Sequence, residues 1–288
     1  MVAPSPTVLK RYVAIELRRL RESAGFKRDE VARRAGCATS HITHLEVARN
    51  LPKVPELELL LRHYGAEGRI PAFVELLDAA RTGRDWWAPF AGAAPSWFDL
   101  YLGLESIAEK IDSYDALVIP ALFQTPGYAE HVVRTAEPDV SGDVVNQRVE
   151  LTMARQDVLT RHPDPPTVTT VLDESVLHRP AGNDIVLAEQ LTHLLKLAER
   201  PNVTVRMLPF AAGMHAGISG TFVLLSFPAM LANDPGVAYT EDRIRGTYHD
   251  DPDDIARYRA TLNRLQDQAY SAEESRAAVL RRIEELAN

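Results

Sequence analysis

Over the first eighty residues the apolar positions recur at helical spacing. Val13, Leu17, Leu20 and Ala24 stand at i, i+4, i+7 and i+11, one face of a first helix. Val31, Ala32 and Ala35 share a face in a short helix predicted over 29–35. Gly36 then supplies the turn, because glycine takes the positive φ of a helix C-cap without strain. A further helix is predicted over 39–47, with Ile42 and Leu45 inward. Pro55 and Pro71 open two more, over 56–64 and 72–81, since a helix start loses no hydrogen bond to proline.

The pattern breaks at residues 82–95, T-G-R-D-W-W-A-P-F-A-G-A-A-P, which read as a linker. Trp86 and Trp87 are too apolar for a free tether. They are expected to pin it to the second domain; a ligand cage is the alternative. From Ser96 helical and β patterns alternate. Trp97, Tyr101, Leu104, Ala108 and Ile111 predict a helix capped by Ser96, and residues 117–120 a short strand or extended run. Helices are predicted from Thr125-Pro126, over 142–161 and over 185–199, and strands over 167–172, 203–209, 221–227 and 237–241. Two helices close the chain. Ile255, Tyr258, Leu262, Leu265 and Ala269 mark the first; Ser271 with Glu274 gives the second a capping box. The fold class is therefore multidomain. An all-α domain over 1–81 precedes, after the linker, an α/β domain over 96–288 with a small mixed sheet and packed helices.

The helix over 39–47 turns Thr39, Ser40, Thr43 and His44 outward, and Arg49 and Asn50 come after it. Short hydrogen-bonding side chains beside arginines suit reading of base edges in a major groove. The stretches L-R-R-L-R-E-S-A-G-F (17–26), V-A-R-R-A-G (31–36) and I-T-H-L-E (42–46) ending in A-R-N carry a resemblance. Residues 13–64 resemble an Xre-type, lambda-repressor-like helix-turn-helix domain. The resemblance implies DNA contacts from Arg28, Thr39, Ser40, Thr43, His44, Arg49 and Asn50, and an Arg21–Glu46 pair between the first and third helices. The family's usual Ser-Gln pairs are Lys27-Arg28 and Ala38-Thr39 here, so the base sequence read does not carry over. With alanine at 38, Thr39 is expected to cap the helix, or the helix to start loosely.

The second half also resembles a known set. V-L-D-E-S-V-L-H-R-P (171–180), L-A-E-R-P-N-V-T-V-R-M-L-P-F (197–210) and L-V-I-P-A-L-F-Q-T-P-G-Y-A (117–129) are similar to the C-terminal domain of actinobacterial Xre-type regulators. That family is described as antitoxin-like. The resemblance implies transcriptional regulation through a small protein partner encoded nearby, and it names no ligand or cofactor.

Charge divides the chain in the same way. The net charge is −8, but residues 10–53 carry eleven Lys/Arg against five Asp/Glu, or +6. Residues 65–288 carry 20 against 33, or −13. Phosphate contacts are therefore expected in the first part and a ligand or partner in the second. Residues 1–10 lack a signal-peptide core and no apolar run is long enough to span a membrane, so a cytoplasmic protein is expected. Cys37 is the single cysteine, which excludes an internal disulfide and any multi-cysteine metal site.

Candidate chemistry in the second half centres on G-M-H-A-G-I-S-G (213–220). Gly213, Gly217 and Gly220 around His215 can cradle an anion or line a partner site, or His215 can act as a base, with Asp173, Glu174, His178 and Arg179 near. The alternative is a strand-to-strand loop with His215 bonded to backbone. The loop lacks the Lys-Ser/Thr ending of a phosphate-binding loop, and Ser219 lacks a hydrolase setting, so no enzyme is expected. The aspartates around Pro252 are read as a helix start. The expected protein is a homodimeric regulator on double-stranded operator DNA; an antitoxin-like interaction module is the alternative.

Overall fold

The computed structural model describes residues 5–228 and 235–287. These fall into two compact units, one over 5–88 and one from residue 89 onward.

The first unit holds five helices, α1 (Pro6–Ser23), α2 (Arg28–Ala35), α3 (Thr39–Glu46), α4 (Val54–His63) and α5 (Ile70–Thr82). Ser5 caps α1 by accepting from the Val8 amide at 3.3 Å, with Pro6 in the first turn. Gly36 ends α2 with φ 66°, as its place in the pattern predicts. Leu17, Val31, Ile42, Leu45, Leu57 and Phe73 lie at the centre, all but sealed from solvent. Each such side chain contributes about 1.5–3 kcal/mol by leaving water. The stretch read as a linker is divided at Ala88, and its first part belongs to this unit. There Asp85 accepts from the Thr7 hydroxyl at 2.9 Å, and Trp86 and Trp87 meet edge to face.

The second unit is built on a six-stranded sheet: β1 (Lys110–Asp115), β2 (Thr167–Asp173), β3 (Val203–Leu208), β4 (Phe222–Ser226), β5 (Val237–Glu241) and β6 (Gly246–His249). The order is β3-β2-β1-β4-β5-β6. β1, β2 and β3 are parallel; β4, β5 and β6 continue antiparallel from β1. The helices are α6 (Asp99–Ile107), α7 (Pro126–Ala136), α8 (Gly142–Arg155), α9 (Ser175–His178), α10 (Asp184–Ala198), α11 (Pro252–Gln268) and α12 (Ala272–Leu286). Ile255, Leu262 and Leu265 of α11 bury one face of the sheet with Tyr114, Leu224 and Ala238. Strand alternation sends Ile111, Ser113 and Asp115 of β1 to the other face.

Three expectations fail locally. The helix through Trp97 does not reach Ile111, because Ala108 turns extended (φ −57°, ψ 138°) and 110–115 becomes a central strand. Ser96 does not cap it; it opens a 3-10 turn, Ser96–Phe98, ahead of α6. Residues 117–120 form no strand, and the Ile119 amide instead donates to the Tyr128 hydroxyl at 3.2 Å. The strand β6 has no clear sequence signal, since G-T-Y-H is short and has one apolar residue, Tyr248. The expected helix starts at Thr125, Asp251 and Ser271 are all present with side-chain caps.

Candidate functional site

The helix-turn-helix face rests on one buried carboxylate. Glu46, at the end of α3, accepts from Arg21 Nε at 2.5 Å and Nη2 at 3.0 Å, and from Arg28 Nε at 2.7 Å. Arg21 comes from α1, Arg28 opens α2, and Arg21 also donates to the Phe26 carbonyl at 2.9 Å. Glu46 and Arg21 are both buried, so three helices are locked at a single charged node. Two cations and a divided carboxylate satisfy each other where water cannot, and α3 is held rigid from within. The Arg21–Glu46 pair is thus present. Arg28, expected at the operator, spends its Nε on this node and keeps a half-exposed side chain.

Thr39 and Ser40 are exposed at the start of α3, and Thr43 and His44 are half-exposed one turn on. Thr43 donates back to the Thr39 carbonyl at 3.1 Å, and Arg49 lies 3.1 Å from His44 Nε2. Arg49 and Asn50 are exposed, their amides turned back onto the His44 carbonyl at 2.9 and 3.2 Å. The N-cap is Ala38, with no side-chain bond, so Thr39 does not cap and the helix starts open. The amides of its first turn therefore have no side-chain cap. His41 is turned from this face onto Glu56 of α4, at 2.5 Å. Lys27 and Lys53, exposed, occupy the N-cap positions of α2 and α4, where Glu30 and Glu56 return to their amides.

In the second unit, the loop around His215 folds inward. His215 Nδ1 accepts from the Gly217 amide at 3.1 Å, and Nε2 stands 3.9 Å from Asp173. The ring meets Tyr114 edge-on at 5.7 Å. A Cβ on Gly217 would lie 2.4 Å from the Tyr114 ring, so this glycine allows the loop to close over Tyr114. Gly213 has φ 63° and turns the chain into the loop. Glu174 accepts from the Phe210 amide at 2.6 Å, and the His178 ring stacks near Phe210. His215, Gly217 and Asp173 are brought together, then, but as a closed loop. Trp86 and Trp87 lie in the first unit.

The larger opening is elsewhere. A cleft of about 920 Å³ lies over the sheet face opposite α11, within the range of small-molecule sites. Its floor includes Ser113, Asp115, Val223 and Tyr239, and its walls Trp97, Phe98 and Tyr101. Arg155 of α8 clamps Glu105 of α6 with two bonds of 2.8 Å, its guanidinium over the Phe98 and Tyr101 rings. Asp115, buried, accepts from Ser113 Oγ at 2.6 Å and Thr170 Oγ1 at 3.0 Å, both on Oδ2. Burial pushes its carboxyl up to about 6, against those two hydroxyl bonds.

One wall is the 3-10 turn Ala121–Phe123, whose inward backbone groups need partners away from water. Three glutamines supply them. Gln124 donates to the Ile119 carbonyl at 2.7 Å, and Gln156 to those of Ala121 and Gln124 at 3.0 and 2.7 Å. Gln190 of α10, fully buried, accepts from the Thr125 amide and donates to the Phe123 carbonyl, each at 2.7 Å. The cleft wall is therefore fixed before any ligand arrives.

Comparison with known proteins gives two matches. Residues 13–73 match a helix-turn-helix domain, which suggests a DNA-binding regulator. Residues 98–281, well over half of the chain, match a domain of unknown function (DUF5753). The chain belongs to the DUF5753 family. No curated protein and no solved structure matches it.

The His215 loop, and the cleft apart from its edge at residues 93–97, lie inside the DUF5753 region. The sequence points to the loop because glycines around a histidine are conspicuous. It passes over the cleft because Glu105, Asp115, Arg155 and Gln190 are far apart and each reads alone as a surface residue. The available signal is polar residues at inward positions: Gln190 beside Leu187, Leu191 and Leu194, and Asp115 at the end of an alternating strand. Among the described residues no His, Cys, Asp or Glu group could hold a metal ion, and no helix is long and apolar enough to cross a membrane.

Proposed function

We propose that the chain is a sequence-specific DNA-binding transcription regulator whose DUF5753 domain receives the signal. The observation that carries this reading is the outward row Thr39, Ser40, Thr43 and His44 on a helix locked by Glu46. Recognition requires side chains held in register with base edges, and a rigid helix with an open N-terminus meets that need. Arg49 and Asn50, with exposed Lys27 and Lys53, are suited to phosphates on either side, and Arg28 reaches the backbone with its free edge. One such unit covers too few base pairs to define a site in a genome, so the protein acts as a homodimer on paired half-sites. No catalytic role is assigned.

Selection of bound duplexes from a random pool by the full chain tests this. A single enriched motif with two half-sites is expected. Arg49→Ala should weaken all sequences alike and reduce the salt slope by about one, whereas Thr39→Ala and His44→Ala should change the preferred bases. Binding without any enriched motif, or none at low salt, would remove the reading.

A second reading, in which the DUF5753 domain docks a small protein, draws on the surface beside the His215 loop. Phe210, Met214 and Ile218 are 60%, 82% and 68% exposed there. A protein co-purifying in one-to-one ratio, and lost from Met214→Asp with Ile218→Asp, would favour it.

A further inference from the structure

Five carboxylates are buried among the described residues: Glu16, Glu46, Glu105, Asp112 and Asp115. Four have a cation. Glu16 lies between Arg19 at 2.9 Å and Arg69 at 2.5 Å. Glu46 has Arg21 and Arg28, Glu105 has Arg155, and Asp112 has Lys110 at 2.8 Å. Asp115 alone has none within 4 Å among the described residues, only the hydroxyls of Ser113 and Thr170. It is also the one that ends a strand at the floor of the cleft. A buried carboxylate without a counter-ion is costly, and a chain that supplies one four times over has omitted it at this place.

The surroundings say what would supply it. Of the other charged groups lining the cleft, Glu105 is spent on Arg155 and Glu137 on Arg148, at 2.7 Å. Asp242 is turned onto the Ile244 and Arg245 amides, at 2.7 and 3.0 Å. Glu241 accepts the Tyr239 hydroxyl at 2.8 Å and has no cation within 4 Å among the described residues, and Arg243, the remaining lining cation, acts on Glu137. The remaining field at the floor is negative, and the half-buried rings of Trp97 and Phe98 line the wall beside it, with Tyr101 and Tyr239 buried behind them and Arg155 already over Phe98 and Tyr101. Aromatic faces and a desolvated carboxylate both favour a positive charge on an apolar body.

We propose that this cleft binds a small organic cation, an amine or quaternary ammonium with an apolar or aromatic body, whose charge is received by Asp115. The proposal rests on the reading of the DUF5753 domain as the signal-receiving part and gives that signal a chemical class. The preformed wall held by Gln124, Gln156 and Gln190 means that binding needs no folding of the loop.

The test titrates the full chain by calorimetry with ammonium probes (tryptamine, phenethylamine and benzyltrimethylammonium) and with tryptophol and indole-3-propionate, their uncharged and anionic counterparts. At least one ammonium should bind one-to-one, with tryptophol at least tenfold weaker than tryptamine and no binding of the propionate. Asp115→Asn should weaken the bound ammonium at least tenfold. Glu241→Gln should weaken it several-fold and serves as the readout if Asp115→Asn does not fold. Failure of every ammonium to bind, equal binding of tryptophol, or an affinity unmoved by these variants overturns the proposal. Operator affinity is measured in parallel. An ammonium that binds without moving it upholds the cleft and removes the signalling role; an empty cleft with operator binding intact overturns the cleft alone.

Discussion

Glu46 and Asp115 are both buried acids, and the two halves of the molecule treat them in opposite ways. Glu46 is closed: Arg21 and Arg28 occupy its two oxygens, and the chain needs nothing more at that point. Asp115 is open: its neighbours are hydroxyls, and the space beside it is a cleft. The closed node suits a unit that must hold one helix still against DNA. The open one suits a unit whose state changes with what it meets. The same contrast recurs inside the second unit, where the paired Glu105 and Arg155 stand beside the unpaired Asp115.

Breaking the closed node should have the largest effect. Glu46→Ala leaves the buried Arg21 with only the exposed Glu22, at 3.0 Å, and the Phe26 carbonyl, and frees Arg28, with an expected loss of about 3 kcal/mol. Arg21→Ala with Glu46→Ala should cost less than the sum of the single losses, because the second change removes a charge that has already lost its buried partner. Urea unfolding of the four variants of the cycle measures this. Additive losses would mean that the node is not coupled.

Relieving the open site should do the reverse, and only at high pH. The folded carboxyl of Asp115 lies at about 6, above the ordinary value of 3.8, so the folded state holds its proton more tightly. Stability is therefore lower above pH 6 than below 4, by up to about 3 kcal/mol from this group. Asp115→Asn cannot ionise and still accepts the two hydroxyl bonds. It should be more stable than the parent at pH 8 by about that amount and no more stable at pH 4. A gain of equal size at both values would assign the effect to packing instead.

Gln190 separates charge from burial. It is more deeply buried than Glu46 but neutral, and it satisfies one amide and one carbonyl of the cleft wall. Gln190→Leu leaves both unpaired, at an expected cost of about 2 kcal/mol with no pH dependence. Faster hydrogen exchange at the Thr125 amide is the local check; unchanged protection there would mean the wall has other support.

The helix-turn-helix unit is legible in the sequence because its signals are local. Apolar spacing, Gly36 and the prolines each act within one or two turns, and α2 to α5 lie within a few residues of their expected places, while α1 begins at Pro6, a turn and more before Val13. The mixed sheet is legible as a class, yet its central strand reads as the end of a helix. Ile111 continues the helical spacing of Tyr101 and Leu104, and only pairing with β2 and β4 decides otherwise. The cleft is beyond a local reading for the same reason. Asp115, Thr170, Tyr101 and Arg155 come from four elements spread over 70 positions, and what makes Asp115 notable is a partner it lacks.

The smallest expected effect lies at the exit of α3. Ala48 has φ 56°, and among the described residues it is the one non-glycine with positive φ. The chain tolerates this because the Arg49 and Asn50 amides close on the His44 carbonyl, which only a left-handed residue at 48 allows. An L-residue pays about 1–2 kcal/mol for that backbone, and glycine does not. Glycine also loosens the unfolded chain, which returns roughly 0.4–1 kcal/mol of the gain. Ala48→Gly should therefore stabilise the protein by about 0.5–1 kcal/mol, and Ala48→Val should destabilise it by more than that, since a branched Cβ fits the left-handed region worst. Chemical unfolding of both variants decides the matter. If Ala48→Gly is neutral and Ala48→Val is tolerated, the turn after α3 is not held in this form, and Arg49 and Asn50 lose the fixed position that phosphate contact requires.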